Sequence, residues 1–298
     1  MTDVLTLDVH YQGRLQVVAC YLVPTGDGGF ALIECGPANS LPTLERAVEE
    51  AGYALRDLRA LLLTHIHLDH AGAAGSLARR SGCRVWVHPV GLPHLADPEA
   101  RLLPSARRLY GEAMEALWGV MEAVPASQLQ AVQHGQRVRA GDLEAVAWHT
   151  PGHARHHVCW QVGDDVATGD VAGVRFPGSS YVLPPTPPPD IDLEAWRSSL
   201  DLLRDLEVRR LLLAHFGAIG DVARHLDELQ GRLGRWQELA RAVIERGGGG
   251  GELERELTAL DDTELSRAGV PAEARHEYRR LCSMEDAAAG LLRAVGRG

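Results

Sequence analysis

Apolar positions fall along this chain in short runs separated by polar, glycine-rich joints. Residues 15–23 (LQVVACYLV) and 29–35 (GFALIEC) are two such runs, divided by the turn-prone TGDGG, and predict a β-hairpin. SLPTLERAVEEAG (40–52) opens on serine, carries proline in its first turn and closes on glycine, which predicts a helix. RALLLT (59–64) has the length of a buried strand. AGAAGSLARRSG then reads as helical up to Gly82, and CRVWVH (83–88) as another strand. The order hairpin, helix, strand, loop, helix, strand favours an α/β layered architecture.

Further on, residues 104–124 read as helical. Tyr110, Met114, Leu117, Trp118 and Met121 fall at offsets of four, seven, eight and eleven, on one apolar face. Core packing is the simpler account of that face; a substrate-facing lid or a homodimer contact is the alternative. Strands return near 136–140, 143–150, 158–163 and 165–168. PPTPPPD (184–190) is too proline-rich for helix or strand and predicts an extended loop. A helix over 192–206 precedes RRLLLAHFG (209–217), an apolar strand running into histidine. The chain then reads as helical to about Arg246, through the flexible linker GGGGG (247–251), to a short charged helical tail.

Composition narrows the classes. The 298 residues carry a formal net charge of −10, and all 30 basic side chains are arginine. An acidic surface disfavours phosphate contacts, so nucleic acid is an unlikely partner. There is no apolar stretch of membrane-spanning length and no basic-then-apolar leader, so a soluble cytoplasmic protein without a membrane partner is expected. Five scattered cysteines suit reduced, structural thiols better than a disulfide framework.

The chemistry gathers in THIHLDH (64–70), which places three histidines and an aspartate directly after an apolar run. Three other places repeat the arrangement: His153 after AVAWHTPG, Asp170 after DVATG, and His215 after RRLLLA. Strand ends converge at one rim of a sheet, so these side chains can meet. Along an extended stretch His65, His67 and Asp69 point one way and His70 another, so one loop can serve two metal ions. Imidazole suits zinc, iron or nickel, and a carboxylate can bridge two ions.

The motifs His-Ile-His-Leu-Asp-His (65–70), Thr-Pro-Gly-His (150–153), Thr-Gly-Asp (168–170) and Ala-His-Phe-Gly (214–217), in this order, resemble the metallo-β-lactamase-fold superfamily, including its glyoxalase II and lactonase-like members. The resemblance runs from about residue 15 to 222. It implies an αββα sandwich with a helical C-terminal extension: a catalytic domain over 1–222 with a helical insertion near 91–133, then 223–298. It implies one metal on His65, His67 and His153 and a second on Asp69, His70 and His215, with Asp170 bridging both. Two divalent ions are expected, zinc first, with manganese, iron or nickel as alternatives. Asp69 and Asp170 are the candidate catalytic carboxylates, and a hydroxide between the ions would be the nucleophile. His157 matches a histidine common in TPGHxxGH segments and is expected to support the ligands; His149 and His156 read as surface or packing residues. One departure is Glu34-Cys35-Gly36, where many relatives carry aspartate before glycine.

A hydrolase acting on a small acyl molecule (ester, thioester or lactone) is the expected function. The helix 104–124 and the loop around Tyr181 are candidates for an apolar wall. Alternatives are a phosphodiesterase or ribonuclease, a mononuclear iron sulfur dioxygenase, and a non-catalytic metal-binding protein.

Overall fold

The computed structural model describes residues 3–296. Its strands form two six-stranded sheets. The first holds β1 (Leu5–Asp8), β2 (Ala19–Pro24), β3 (Phe30–Ile33), β4 (Leu58–Leu62), β5 (Arg84–Val87) and β6 (Leu129–Ala131), side by side in chain order. The second holds β7 (Arg137–Ala140), β8 (Leu143–His149), β9 (Val158–Val162), β10 (Asp165–Gly169), β11 (Arg210–Leu213) and β12 (Gly217–Ile219), also in chain order. Pairing from β3 to β6 and between β10 and β11 is parallel; the other pairs are antiparallel.

Strand alternation explains the layering. In β2 and β3, Ala19, Tyr21, Val23, Ala31 and Ile33 face the core shared with the second sheet. Cys20, Leu22, Phe30 and Leu32 face the opposite way, onto Leu44 and Val48 of the helix Leu41–Glu50 and Leu77 of the helix Ala74–Ser81. Trp196 and Leu200 of the helix Leu193–Asp205 pack with the second sheet. The result is the expected αββα sandwich with helices beyond it.

Three short strands escape the pattern of apolar runs: β6 and β12 have three residues each, and β1, LTLD, interleaves its two leucines with Thr6 and Asp8. The first hairpin strand starts at Ala19, not residue 15, leaving 15–18 as loop. The apolar face of 104–124 is real but the helix is not continuous. Leu103–Tyr110 ends, a 3-10 turn follows at Gly111–Ala113, and Met114–Trp118 stops at Gly119, whose φ is +73°. Trp118 turns inward and stacks on Tyr11, ring centroids 5.4 Å apart.

The five glycines are a packed turn, where a flexible linker was expected. Gly247, at φ +79°, caps the helix Val222–Glu245; the amides of Gly247 and Gly248 donate to the carbonyls of Ile244 and Val243. Gly250 already belongs to the next helix, Gly250–Arg267. The helices Ala272–Leu281 and Met284–Val295 follow. Trp236, Leu253, Tyr278 and Leu291 from these four helices share one buried cluster with Trp160 of β9 and Leu211 of β11.

Candidate metal centre

β4 ends at Leu62, and the chain crosses from the first sheet toward the second just beyond it. Trp160 Nε1 donates to Leu63 O at 3.0 Å, and Val158 N to Thr64 O at 2.7 Å. His65 and His67 follow in extended chain. The alternation stops there, because Leu68–Ala71 closes a single helical turn that carries Asp69 and His70. Asp69 therefore joins His70, not His65 and His67. His153 and His157 lie between β8 and β9, Asp170 directly after β10, and His215 two residues beyond β11.

All seven predicted residues meet, in two groups. His67 Nδ1 lies 3.0 Å from His65 Nε2 and 3.1 Å from His153 Nε2; Asp170 Oδ2 is 3.3 Å from His153 Nε2. On the other side, Asp69 Oδ2 is 3.5 Å from His70 Nε2 and 3.4 Å from His215 Nε2; Asp170 Oδ1 is 3.3 and 3.4 Å from the same two nitrogens. One carboxylate thus offers one oxygen to each group.

The opposite ring nitrogens settle how the imidazoles present themselves. Nδ1 of His153 donates to Pro185 O at 2.9 Å, and Nδ1 of His215 to Val17 O at 2.8 Å. Nδ1 of His70 donates to Glu34 Oε1 at 3.1 Å, and Nδ1 of His65 to Thr64 Oγ1 at 3.0 Å, whose own hydroxyl donates to Glu34. Each of these four rings, when neutral, therefore turns a lone pair inward. His67 Nδ1 faces two such lone pairs and carries at most one proton to share. Nε2 of His70 and Oδ1 of Asp170 are buried without a hydrogen-bond partner. Converging lone pairs and carboxylate oxygens fit divalent cations, and the donor set of imidazole and carboxylate suits transition metals such as zinc, iron or nickel.

Electrostatics separates the groups. Burial, and then the neighbouring imidazoles, holds His65 far below the ordinary histidine range; His67 is pushed down to about 3, by burial first and then by His153. His153 is also lowered, again chiefly by burial. Burial opposes charge at His70 and His215 too, but the carboxylates around them outweigh it and raise both. Burial would likewise raise Asp69 and Asp170; the adjoining imidazoles, His70 foremost, hold both below the carboxylate range.

Glu34 turns out to be the outward partner of His70 and Thr64. It sits buried at the end of β3 in a left-handed conformation, φ +66°. His157 behaves as expected of a supporting residue. Its Nδ1 donates to Thr150 Oγ1 at 2.9 Å, and its Nε2 accepts the Asp170 amide at 3.2 Å. His156 is buried rather than on the surface, its ring 5.8 Å from that of His67. His149 lies outside both groups and donates from Nε2 to Val132 O. The glycine of Thr-Gly-Asp has a steric cause: a Cβ on Gly169, at φ +48°, would lie 2.4 Å from Thr64 Oγ1 and 2.6 Å from His157 Nε2. The Val17 and Pro185 carbonyls were invisible in the sequence, since every residue has one.

The sequence model of the metallo-beta-lactamase superfamily matches residues 13–215. The metallo-beta-lactamase fold-containing protein ST1585 of Sulfurisphaera tokodaii is 27% identical over 243 residues, which cover 80% of this chain and 87% of that protein. A hydroxyacylglutathione hydrolase of Bradyrhizobium sp. is 30% identical over 122 residues, 41% of this chain and 35% of its own length. Among solved structures, the metallo-beta-lactamase family protein TTHA1429 of Thermus thermophilus superposes with a TM-score of 0.71 at 22% identity. That match covers 99% of this chain and 93% of that one, a likeness of fold that extends through the C-terminal helices. The family model runs from before β2 to beyond β11 and reaches every one of the seven converging side chains, so sequence and architecture agree: the chain belongs to the metallo-beta-lactamase superfamily.

Proposed function

We propose that the protein is a dinuclear metal-dependent hydrolase of a small acyl substrate, an ester, thioester or lactone. The observation that carries this reading is Asp170, whose two carboxylate oxygens face two separate donor groups. Two divalent ions held there would supply Lewis-acid polarisation of a carbonyl and a lowered pKa for water. His65, His67 and His153 would hold one ion, Asp69, His70 and His215 the other. The Asp69 side chain is 16% exposed against 7% for Asp170, so it is the carboxylate more open to substrate. Its Oδ2 faces the second group.

An aromatic trio supports an acyl substrate. Trp118 is stacked on Tyr11 and lies edge-on to Tyr110 at 5.3 Å. Burial first, and then the charge of Asp69, raises both phenols. Tyr181 does not share this role: it is buried against the C-terminal helices. Two arginines of the tail are engaged within the fold, Arg279 with Asp262 and Arg275 with Val270 O, which weakens the case for a nucleic-acid surface.

The test is a matched panel of lactones, thioesters, aryl esters, phosphodiesters and RNA, with metal content measured on the same sample. The partial relative named hydroxyacylglutathione hydrolase supports including a glutathione thioester. Two ions per chain and turnover of an acyl compound, lost in His67→Ala, is the expected result. Cleavage of phosphodiesters or RNA alone would replace the acyl reading with the nuclease one.

A further inference from the structure

His153 faces Asp170, the carboxylate that both donor groups share, and its ring is held by a main-chain carbonyl, Pro185 O. That carbonyl sits at the end of a strap, residues 176–186, which crosses between the sandwich and the C-terminal helices. Each of the four helices grips the strap. Tyr278, in Ala272–Leu281, accepts the Phe176 amide at 3.2 Å and donates to Tyr181 O at 3.1 Å. Asp261, in Gly250–Arg267, accepts the Tyr181 hydroxyl. Arg232, in Val222–Glu245, lies over the Tyr181 ring at 4.0 Å and donates to Val182 O. Gly290, in Met284–Val295, packs so closely on Thr186 that a Cβ there would lie 2.0 Å from Thr186 O and 3.0 Å from its carbonyl carbon.

We infer that the C-terminal helices form the positioning element of the metal centre, and that Gly290 is a positioning residue which seats Pro185 O on His153. The strap's residue next to the pinning carbonyl is the one that Gly290 touches, so any side chain at 290 must push the strap. Gly290 also lies inside a helix, where glycine costs about 1 kcal/mol relative to alanine. Packing at Thr186 supplies the physical reason for a glycine there. Removing the acceptor from a ligand histidine frees its ring to rotate and lowers its basicity.

The inference rests on the reading of His153 as a metal ligand, and the experiment separates the two. Wild type, Gly290→Ala, Tyr278→Phe and a control, Gly234→Ala, are loaded with Co(II) and titrated against a chelator. Gly234 lies in the same helical unit with nothing within 4 Å of a built Cβ. In Gly290→Ala one of the two binding steps weakens by about 10- to 100-fold, as for loss of a ligand's hydrogen-bonded supporter. The exchangeable Nδ1 proton of His153, shifted by the cobalt, exchanges faster with solvent. Tyr278→Phe shifts both readouts in the same direction, less strongly, and Gly234→Ala leaves both at wild type. Wild-type affinity and proton exchange in Gly290→Ala would overturn the inference while leaving the metal site intact. Should Gly290→Ala not fold, Tyr278→Phe decides by the same two readouts. Failure of the wild type itself to bind cobalt would sink both the metal reading and this one.

Discussion

Single residues carry the centre's charge balance. Asp170→Ala removes the carboxylate that faces both groups while leaving the strands around it in place. It should retain the folded circular-dichroism spectrum yet lose more activity than the roughly 10- to 100-fold typical of an outer hydrogen-bond partner. A variant that keeps two ions and full turnover would show that Asp170 is not shared between them. The histidine pKa values predict an order of metal loss on acidification. Burial lowers His65, His67 and His153, so an ion there competes with fewer protons as pH drops. His70 and His215 are raised, so an ion there must displace protons and its affinity falls as pH drops. Metal content followed from about pH 8 to 5 should fall from two ions to one before the second leaves; simultaneous loss would contradict this. At this scale the sequence was highly legible for side chains that bear ligating atoms. Glu34 was noticed but not placed, because its role depends on where His70 Nδ1 points.

Elements were legible where an apolar run was long enough to show a period. β4, β8, β9, β10 and β11 each follow such a run, and their ends place the site. β1 and β12 are edge strands without a continuous apolar run, and Gly119 ends a helical stretch whose apolar face continues to Met121. The glycine run misled for a different reason: composition alone gives flexibility, whereas Gly247 and Gly248 are fixed by capping bonds. Gly247→Ala should therefore destabilise the protein by about 1–2 kcal/mol, the cost of a left-handed alanine. Deleting two of the five glycines should cost more, since the next helix begins at Gly250. Urea unfolding checks both; a slack linker would show neither effect.

For the whole molecule, the sequence conveyed the layered sandwich but not how far the C-terminal helices merge with it. Their buried residues join the second sheet's core, a relation set by long-range packing that no local pattern records. A ligand that binds only the folded state stabilises it, by about 2.7 kcal/mol at a hundredfold excess over its dissociation constant. Thermal unfolding with and without chelator should therefore show a higher midpoint for the metal-loaded protein, with the gap growing as free metal rises. Equal midpoints would mean that the ions do not bind the native fold preferentially.

The ligands are divided between the sheets. His65, His67, Asp69 and His70 follow a strand of the first, while His153, Asp170 and His215 belong to the second, and among the described residues the chain passes between the sheets once in forming strands, at residues 132–136. An ion in either donor group would therefore bond to both halves of the polypeptide at once. The donor groups would then act as a clasp: if the connection at 132–136 were severed, the two fragments would be complementary partners whose reassembly depends on metal concentration, because neither fragment alone contains a complete set of donors.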